Sequence, residues 1–416
     1  MKTRFSTAGG GALIFLVVSL PFSTSAALQG VTALNSGTIP PPDGNGDSWA
    51  PIISSDGRFV LFASTADNLT SLKGSNGIPR LNPPVANVYL RDRLKGTTTL
   101  VSVNLAGTGG GDGNSFPAGL STNGQFVLFE STAQDLVTNV VNLFWCDCGQ
   151  RITNNVQNIF WRDLARGVTR LVNVPTNSST WSSYLSCAGG AWDAVMTPDG
   201  RYVAFVSPSS NLTPNDTNGI PDVFVRDMQS NTTVLVSVGA QTITPRNASS
   251  FCSSLAGSSE APEITPDGRF VVFSSTATNL VPGVTRTNEI YVRDLQTDTT
   301  FWASTNARAI SGFGGNAFCY NQAISDDGRF VAFEICSNGP YPSYYSSSIG
   351  TNGFILRYNL QSGGTDIVAS NAMPPLAVDP EARSLNLSSD GRFVVYSAHS
   401  PGGGSGVYLW DAQTGT

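Results

Sequence analysis

Glu263-Ile-Thr-Pro-Asp-Gly-Arg-Phe-Val-Val-Phe-Ser274 decides the architecture of this chain. It has the form of a strand end, a tight Asp-Gly turn, and a second strand that is apolar on both faces. Near-copies run over 53–62, 120–129, 196–205, 324–333 and 387–396, each carrying Asp-Gly or Asn-Gly followed by Arg or Gln and then Phe or Tyr. Six copies of one hairpin make this a repeat protein, whose units bury their faces against one another.

Each hairpin is followed by a long polar stretch, a third strand, a short turn and a fourth strand. The third strands are expected at 87–92, 158–163, 222–227, 289–294, 353–359 and 407–411, as in Asp222-Val-Phe-Val-Arg-Asp227. Fourth strands follow at 97–103, 168–174, 232–238, 299–304 and 365–370. Four antiparallel strands per unit and six units predict an all-β fold, a six-bladed β-propeller. The sixth unit stops at Asp411-Ala-Gln-Thr-Gly-Thr416, where its fourth strand should begin. Val31-Thr-Ala-Leu-Asn-Ser-Gly37 parallels Val101-Ser-Val-Asn-Leu-Ala-Gly107, so residues 29–37 are expected to complete the last blade and close the ring. The turn glycines lie 60 to 76 residues apart, and the excess over a lean blade falls in two loop classes that emerge on one face. One face is plain and the other decorated. On the plain face, Arg58, Arg201, Arg269, Arg329 and Arg392 start second strands beside the third-strand ends Asp92, Asp227, Asp294, Asn359 and Asp411. A structural ion pair is expected there.

Lys2 and Arg4 precede the apolar run 11–20, and small residues follow at 23–27. This is the pattern of a Sec-type signal peptide over residues 1–27, leaving a single propeller domain over 28–416, periplasmic or secreted. The apolar run is too short to span a bilayer comfortably, and no second run of membrane length exists. Without residues 1–27 the chain has 21 Lys+Arg against 29 Asp+Glu. No basic cluster interleaves with aromatics, which disfavours nucleic acid. Six cysteines in an exported chain point to disulfides. Cys319 and Cys336 are equidistant from the Asp327-Gly328 turn, as cross-strand partners would be, so a bridge is expected between them. Cys146, Cys148, Cys187 and Cys252 leave three pairings.

The hairpins, together with Val-Tyr-Val-Arg-Asp-like third strands, resemble the TolB-type, PD40 (WD40-like) propeller repeats of exported bacterial proteins. The resemblance covers essentially the whole chain after residue 27, with 264–273 and 222–227 its best copies. It implies a six-bladed propeller outside the cytoplasm, used chiefly for protein contacts. TolB has a separate N-terminal α/β domain, to which residues 28–47 are too short to correspond, so the role of TolB in its envelope complex does not carry over.

Catalytic patterns are scarce. His399 is the one histidine, which excludes sites built on several His ligands, and no Gly-x-Ser-x-Gly elbow exists. Asp193 and Glu263, placed near the channel, could support acid–base chemistry without His. Asp216, Asn218 and Asp222 have the spacing of a partial Ca²⁺ loop, a structural metal if occupied, with an Asx-stabilised loop as the simpler account. Otherwise no cofactor is expected. Counting back from the turns puts Trp49, Phe116, Trp192, Glu260, Tyr320 and Arg383 at equivalent positions where first strands enter near the channel. Trp145, Trp181 and Tyr184 lie in neighbouring loops, along with Tyr341, Tyr344 and Tyr345. Such a ring either caps the core between blades or binds a protein or a glycan. The expectation is a non-catalytic interaction module, with a carboxylate-based glycan hydrolase or lyase in the channel as the alternative.

Overall fold

Each turn is closed by the same short bonds. In the fourth unit Thr265 Oγ1 donates to Asp267 Oδ1 (2.5 Å), and the Arg269 N–H donates to the same oxygen (3.0 Å). The Phe270 N–H returns a bond to Thr265 Oγ1 (3.0 Å). Gly268 closes the turn at φ +75°, a left-handed backbone that a Cβ resists. Ser54, Ser121, Thr197, Ser325 and Ser388 repeat the part of Thr265 in the other five turns. A hydroxyl three residues before the glycine and an Asp or Asn one before it therefore build the hairpin locally.

The computed structural model describes residues 44–70, 84–138, 144–146, 150–152, 156–176, 190–214, 216, 218, 220–240, 257–314, 317–337, 353–372, 385–399 and 405–416. These form five four-stranded antiparallel sheets, one three-stranded sheet and one extra two-stranded hairpin. Within each large sheet the strands neighbour one another in chain order. The third sheet shows the plan, with Trp192–Met196, Tyr202–Ser207, Asp222–Asp227 and Thr232–Leu235 from inner to outer edge. The other inner strands are Ser48–Ile53, Ser115–Leu120, Ser259–Ile264, Phe318–Ile324 and Leu385–Leu387. The extra hairpin, Phe144–Cys146 with Gln150–Ile152, is inserted between the second and third strands of the second sheet and was not expected.

In the second to fifth sheets, second and third strands are apolar on both faces because they lie mid-sheet with a neighbouring sheet on each side. Aromatics meet across second and third strands: Phe62 on Tyr89, Phe129 on Phe160, Phe205 on Phe224 and Phe273 on Tyr291, with centroids 5.4–5.8 Å apart. Five clusters of buried apolar side chains join the sheets pairwise, first to second through to fifth to sixth. A second contact repeats at the same five junctions. The turn glycine of one sheet rests on the aromatic that opens the second strand of the preceding sheet: Gly124 on Phe59, Gly200 on Phe126, Gly268 on Tyr202, Gly328 on Phe270, Gly391 on Phe330. A Cβ at any of these glycines would overlap the ring. Gly57 of the first sheet has no ring of a described residue against it. Correspondingly, Ile53 on the first sheet is 62% exposed, and Val407 and Leu409 on the sixth are 76% and 61% exposed. Their counterparts Val88 and Leu90 are 0% and 5% exposed.

Four of the five fourth strands are shorter than expected, as in Thr97–Leu100 and Thr232–Leu235, while the fifth, Thr365–Ala372, runs two residues further. The physical reason is a side chain that takes over the ladder. Ser237 Oγ accepts the Val223 N–H (3.0 Å) and donates to Asp222 (2.5 Å), while Ser102, Asn173 and Ser304 accept the matching N–H of Val88, Ile159 and Ile290. The sixth sheet has three strands among the described residues. Residues 1–43, with the expected signal peptide and closing strand, lie outside them.

The plain-face ion pairs form as expected for Arg58–Asp92, Arg201–Asp227, Arg269–Asp294 and Arg392–Asp411, at 2.6–2.8 Å. The third-strand Asp has a further task. Asp294 Oδ1 also accepts the Gln296 and Thr297 N–H groups of the next turn, and Asn359 does the same for Gln361 and Ser362 without an arginine. Arg329 pairs instead with Asp327 of its own turn, at 2.8 Å. Capping the turn, rather than pairing with arginine, is what the position does in every one of these sheets.

Candidate functional site at the channel mouth

Every inner strand of the first five sheets breaks register at one place: between Trp49 and Ile52, Pro117 and Gly119, Trp192 and Val195, Glu260 and Glu263, and Tyr320 and Ala323. An inserted residue there forms a β-bulge, which bends the strand and re-aims its side chains. Ala50, Asp193, Ala261 and Asn321 occupy it at φ +50 to +54°. That conformation costs a residue with a Cβ about 1–2 kcal/mol. In the second sheet the position is Pro117, whose ring forbids positive φ, and the shift falls one residue later.

Trp49, Phe116, Trp192, Glu260 and Tyr320 each immediately precede this bulge position, so counting back from the turns located structurally equivalent residues. Trp49 and Phe116, on adjacent sheets, are 38% and 39% exposed, with ring centroids 6.4 Å apart and planes tilted by 50°. Trp192, Glu260 and Tyr320 are half-buried. Arg383, Trp181, Tyr184, Tyr341, Tyr344 and Tyr345 lie outside the described residues. Trp145 is in the inserted hairpin, paired with Arg151.

Carboxylates stitch one bulge to the next. Glu130, opposite Phe116 on the second strand, accepts the Ala194 N–H of the third sheet's bulge (2.9 Å) and a bond from Gln157. Glu263 accepts the Ile324 N–H of the fifth sheet (3.2 Å). Asn321 donates to Glu334 (2.9 Å), which lies opposite Tyr320, and Gln322 donates to the Ala261 carbonyl of the fourth sheet. The proposed acid–base pair is thus dissimilar: Asp193 is exposed, whereas Glu263 is half-buried and serves a neighbouring backbone. Burial, reinforced by the charge of Asp193, pushes the Glu260 carboxyl above its ordinary pKa. Sequence reading missed Glu130, Glu334 and Gln322. The signal for the first two was available, because Phe-Val-Leu-Phe-Glu130 and Phe-Val-Ala-Phe-Glu334 carry an acid where the other copies have Ala63, Val206, Ser274 and Ser397.

The metal-like loop is tied up in hydrogen bonds. Asn218 Oδ1 accepts the Ile220 N–H (2.9 Å), and its Nδ2 donates to Asp222 (2.7 Å) and the Ala240 carbonyl (2.9 Å). It therefore presents a donor to Asp222, which is the bonding of an Asx-stabilised loop and does not fit a ligand set. Among the described residues no group of three or more His, Cys, Asp or Glu side chains is placed to hold a metal. Asp222 is fully buried, and burial pushes its carboxyl up to about 7, helped by the charge of Asp216.

The expected Cys319–Cys336 bridge is corrected. Both side chains are buried thiols. The bulge is the reason: Ile324 still faces Val331, but beyond the bulge the register slips by one, so Cys319 faces Ile335 and Cys336 faces Phe318. The two cysteines then point to opposite faces of the sheet. Cys146 lies in the inserted hairpin, while Cys148, Cys187 and Cys252 lie outside the described residues. His399 ends the second strand of the sixth sheet, opposite Ser405.

No protein-family model and no curated protein matches the sequence. Solved structures do resemble it. An oligogalacturonate lyase in complex with manganese is 13% identical at TM-score 0.44, covering 88% of this chain and 74% of its own. A putative TolB from Agrobacterium tumefaciens is 12% identical at TM-score 0.38, covering 88% and 91%. The β-propeller domain of the Trilobed protease from Pyrococcus furiosus, described as having an open velcro topology, is 12% identical at 0.43, covering 89% and 82%. The fold is a β-propeller. That statement stands on the chain's own stacked antiparallel sheets, since at these identities and scores the neighbours assign neither activity nor partner. In this propeller the bulged inner strands bring the aromatic and acidic side chains together. No helix among the described residues is long and apolar enough to cross a membrane.

Proposed function

We propose that this propeller is an exported, non-catalytic interaction module that binds a protein or glycan partner on the face carrying the long loops. The observation that supports it is the Trp49–Phe116 pair: two large rings left open to solvent side by side, each held next to a bulge position. Exposed aromatic surface of this kind favours contact with a peptide or a sugar face. Capture of partners from cell and medium extracts, with the parent beside a Trp49→Ala, Phe116→Ala variant of equal melting temperature, tests it. A species retained only by the parent supports the module; equal capture by both rejects the aromatic mouth. The carboxylate-based hydrolase or lyase is the second reading. It gains support if Asp193→Asn or Glu263→Gln abolishes turnover of a glycan that still binds, although the bond from Ile324 to Glu263 favours a structural role for that acid.

The six-bladed closed ring belongs to the same proposal. Among the described residues Gly57 lacks a ring of the kind that sits against the other five turn glycines, and Phe393 is the matching aromatic of the sixth sheet. Seating Phe393 against Gly57, with residues 29–37 as a fourth strand beside Ser405–Asp411, would cover Ile53, Val407 and Leu409 and remove an open sheet edge. Export through residues 1–27 is checked by N-terminal sequencing of the mature protein. Calcium at Asp216 and Asp222 is checked by melting in millimolar Ca²⁺ against a chelator, where an unchanged melt rejects it.

A further inference from the structure

The mouth is aromatic on one arc and acidic on the other. Trp49 and Phe116 stand on the first and second sheets, Asp193 on the third, and Glu260 and Glu263 on the fourth. Across the described inner and second strands of all six sheets there are five carboxylates, these three with Glu130 and Glu334, and neither lysine nor arginine. Charges of one sign on strands lining a narrow mouth reinforce one another and concentrate counter-ions.

A separate observation points to the missing chemistry. Gln322, 4% exposed, donates its Nε2 to the Ala261 carbonyl, so its amide head rests on the fourth sheet's bulge between Glu260 and Glu263. Its Oε1 is buried with no hydrogen-bond partner among the described residues. A buried acceptor without a donor is costly, and the Ala261 carbonyl that holds the Nε2 of the same amide is itself an acceptor. The group that satisfies such a site donates several hydrogen bonds, accepts none and carries positive charge.

We infer that the acidic arc binds an ammonium or guanidinium group, with the Trp49–Phe116 arc packing the stem that carries it. The inference rests on the mouth being a binding site, and it narrows the partner to one bearing basic side chains. Aromatic faces add to cation binding, and a chain of formal net charge −6 draws a basic partner from a distance.

Isothermal titration of the full chain at low salt tests it, using the peptide Ac-Gly-Arg-Ala-Arg-Gly-NH2, its twin with citrulline for arginine, and spermidine. The arginine peptide is expected to bind at least tenfold tighter than the neutral twin. Glu260→Gln, and separately the exposed Asp193→Asn, are expected to weaken it at least tenfold at unchanged melting temperature. Binding of spermidine alone upholds the cation site and assigns it to small amines; binding of the peptide assigns it to a basic segment. Equal binding of the citrulline twin, indifference to both substitutions, or binding of none of the probes overturns the inference. A captured partner lost on Trp49→Ala but unaffected by Glu260→Gln also overturns it, while leaving the interaction module standing.

Discussion

Gly268 and Gly57 occupy the same place in the same turn, at φ +75° and +68°, yet only Gly268 rests on a ring. Gly268→Ala adds backbone strain to an overlap with Tyr202, an expected loss of about 2–4 kcal/mol in urea unfolding. For Gly57→Ala, strain alone costs about 1–2 kcal/mol; a loss as large as that of Gly268→Ala would mean that Phe393 is seated there. Asp294 gives a second comparison. Its carboxylate caps two turn N–H groups besides meeting Arg269, so Asp294→Ala is expected to cost about 1–2 kcal/mol, clearly more than Arg269→Ala. Titration separates two kinds of Asp. Bonding to Arg201 holds Asp227 down at about 2, below its ordinary 3.8. That contribution is present above about pH 4 and is lost as pH falls toward 2. Asp222 has the opposite sign: raised to about 7, its contribution is present below about pH 4 and is lost as pH rises through 7. Wild-type stability is therefore expected to decline between about pH 4 and 7, and Asp222→Asn to flatten that decline. An identical slope in the variant would contradict the buried-carboxyl account.

At the scale of elements, the hairpins were legible because their chemistry is local. Hydroxyl, Asp and Gly stand within four residues, and each bond they make stays within the turn. The third strands were equally plain, being apolar on both faces. The bulges were not legible. Ala50, Asp193, Ala261 and Asn321 hold the left-handed backbone without being glycines, and at two of these places the tie is to a neighbouring sheet, Ala194 N–H to Glu130 and Gln322 to the Ala261 carbonyl. The Cys319–Cys336 expectation failed on that point, since its symmetry about the turn assumed an unbroken ladder. The equivalence of Trp49, Phe116, Trp192, Glu260 and Tyr320 survived the bulge, because the bulge repeats and counting from the turn carries the same offset in each of these units. Truncating Ser237, which takes over the ladder at the third sheet's outer strand, leaves Asp222 with one bonding partner fewer. Ser237→Ala is expected to cost about 1–3 kcal/mol and to raise the Asp222 pKa further, read by the pH dependence of unfolding.

For the whole molecule, the first and sixth sheets hold the outcome of the closure proposal. Deleting residues 28–38 is expected to lower the melting temperature sharply, and Gly57→Ala with Phe393→Ala to show coupling in a double-mutant cycle; additive losses would mean that the two residues never meet. Function was less legible than fold. A propeller blade repeats for packing, and the same repeat serves many partners, so only departures from it carry functional information. Here those departures are Trp49, Phe116, Asp193, Glu260 and Gln322 on the bulged first strands. The most direct measurement is capture from cell and medium extracts by the mature protein beside its Trp49→Ala, Phe116→Ala variant, both shown to melt alike. A partner retained by the parent and lost by the variant is the predicted result; a partner retained equally by both would contradict the claim that this mouth is where the molecule binds.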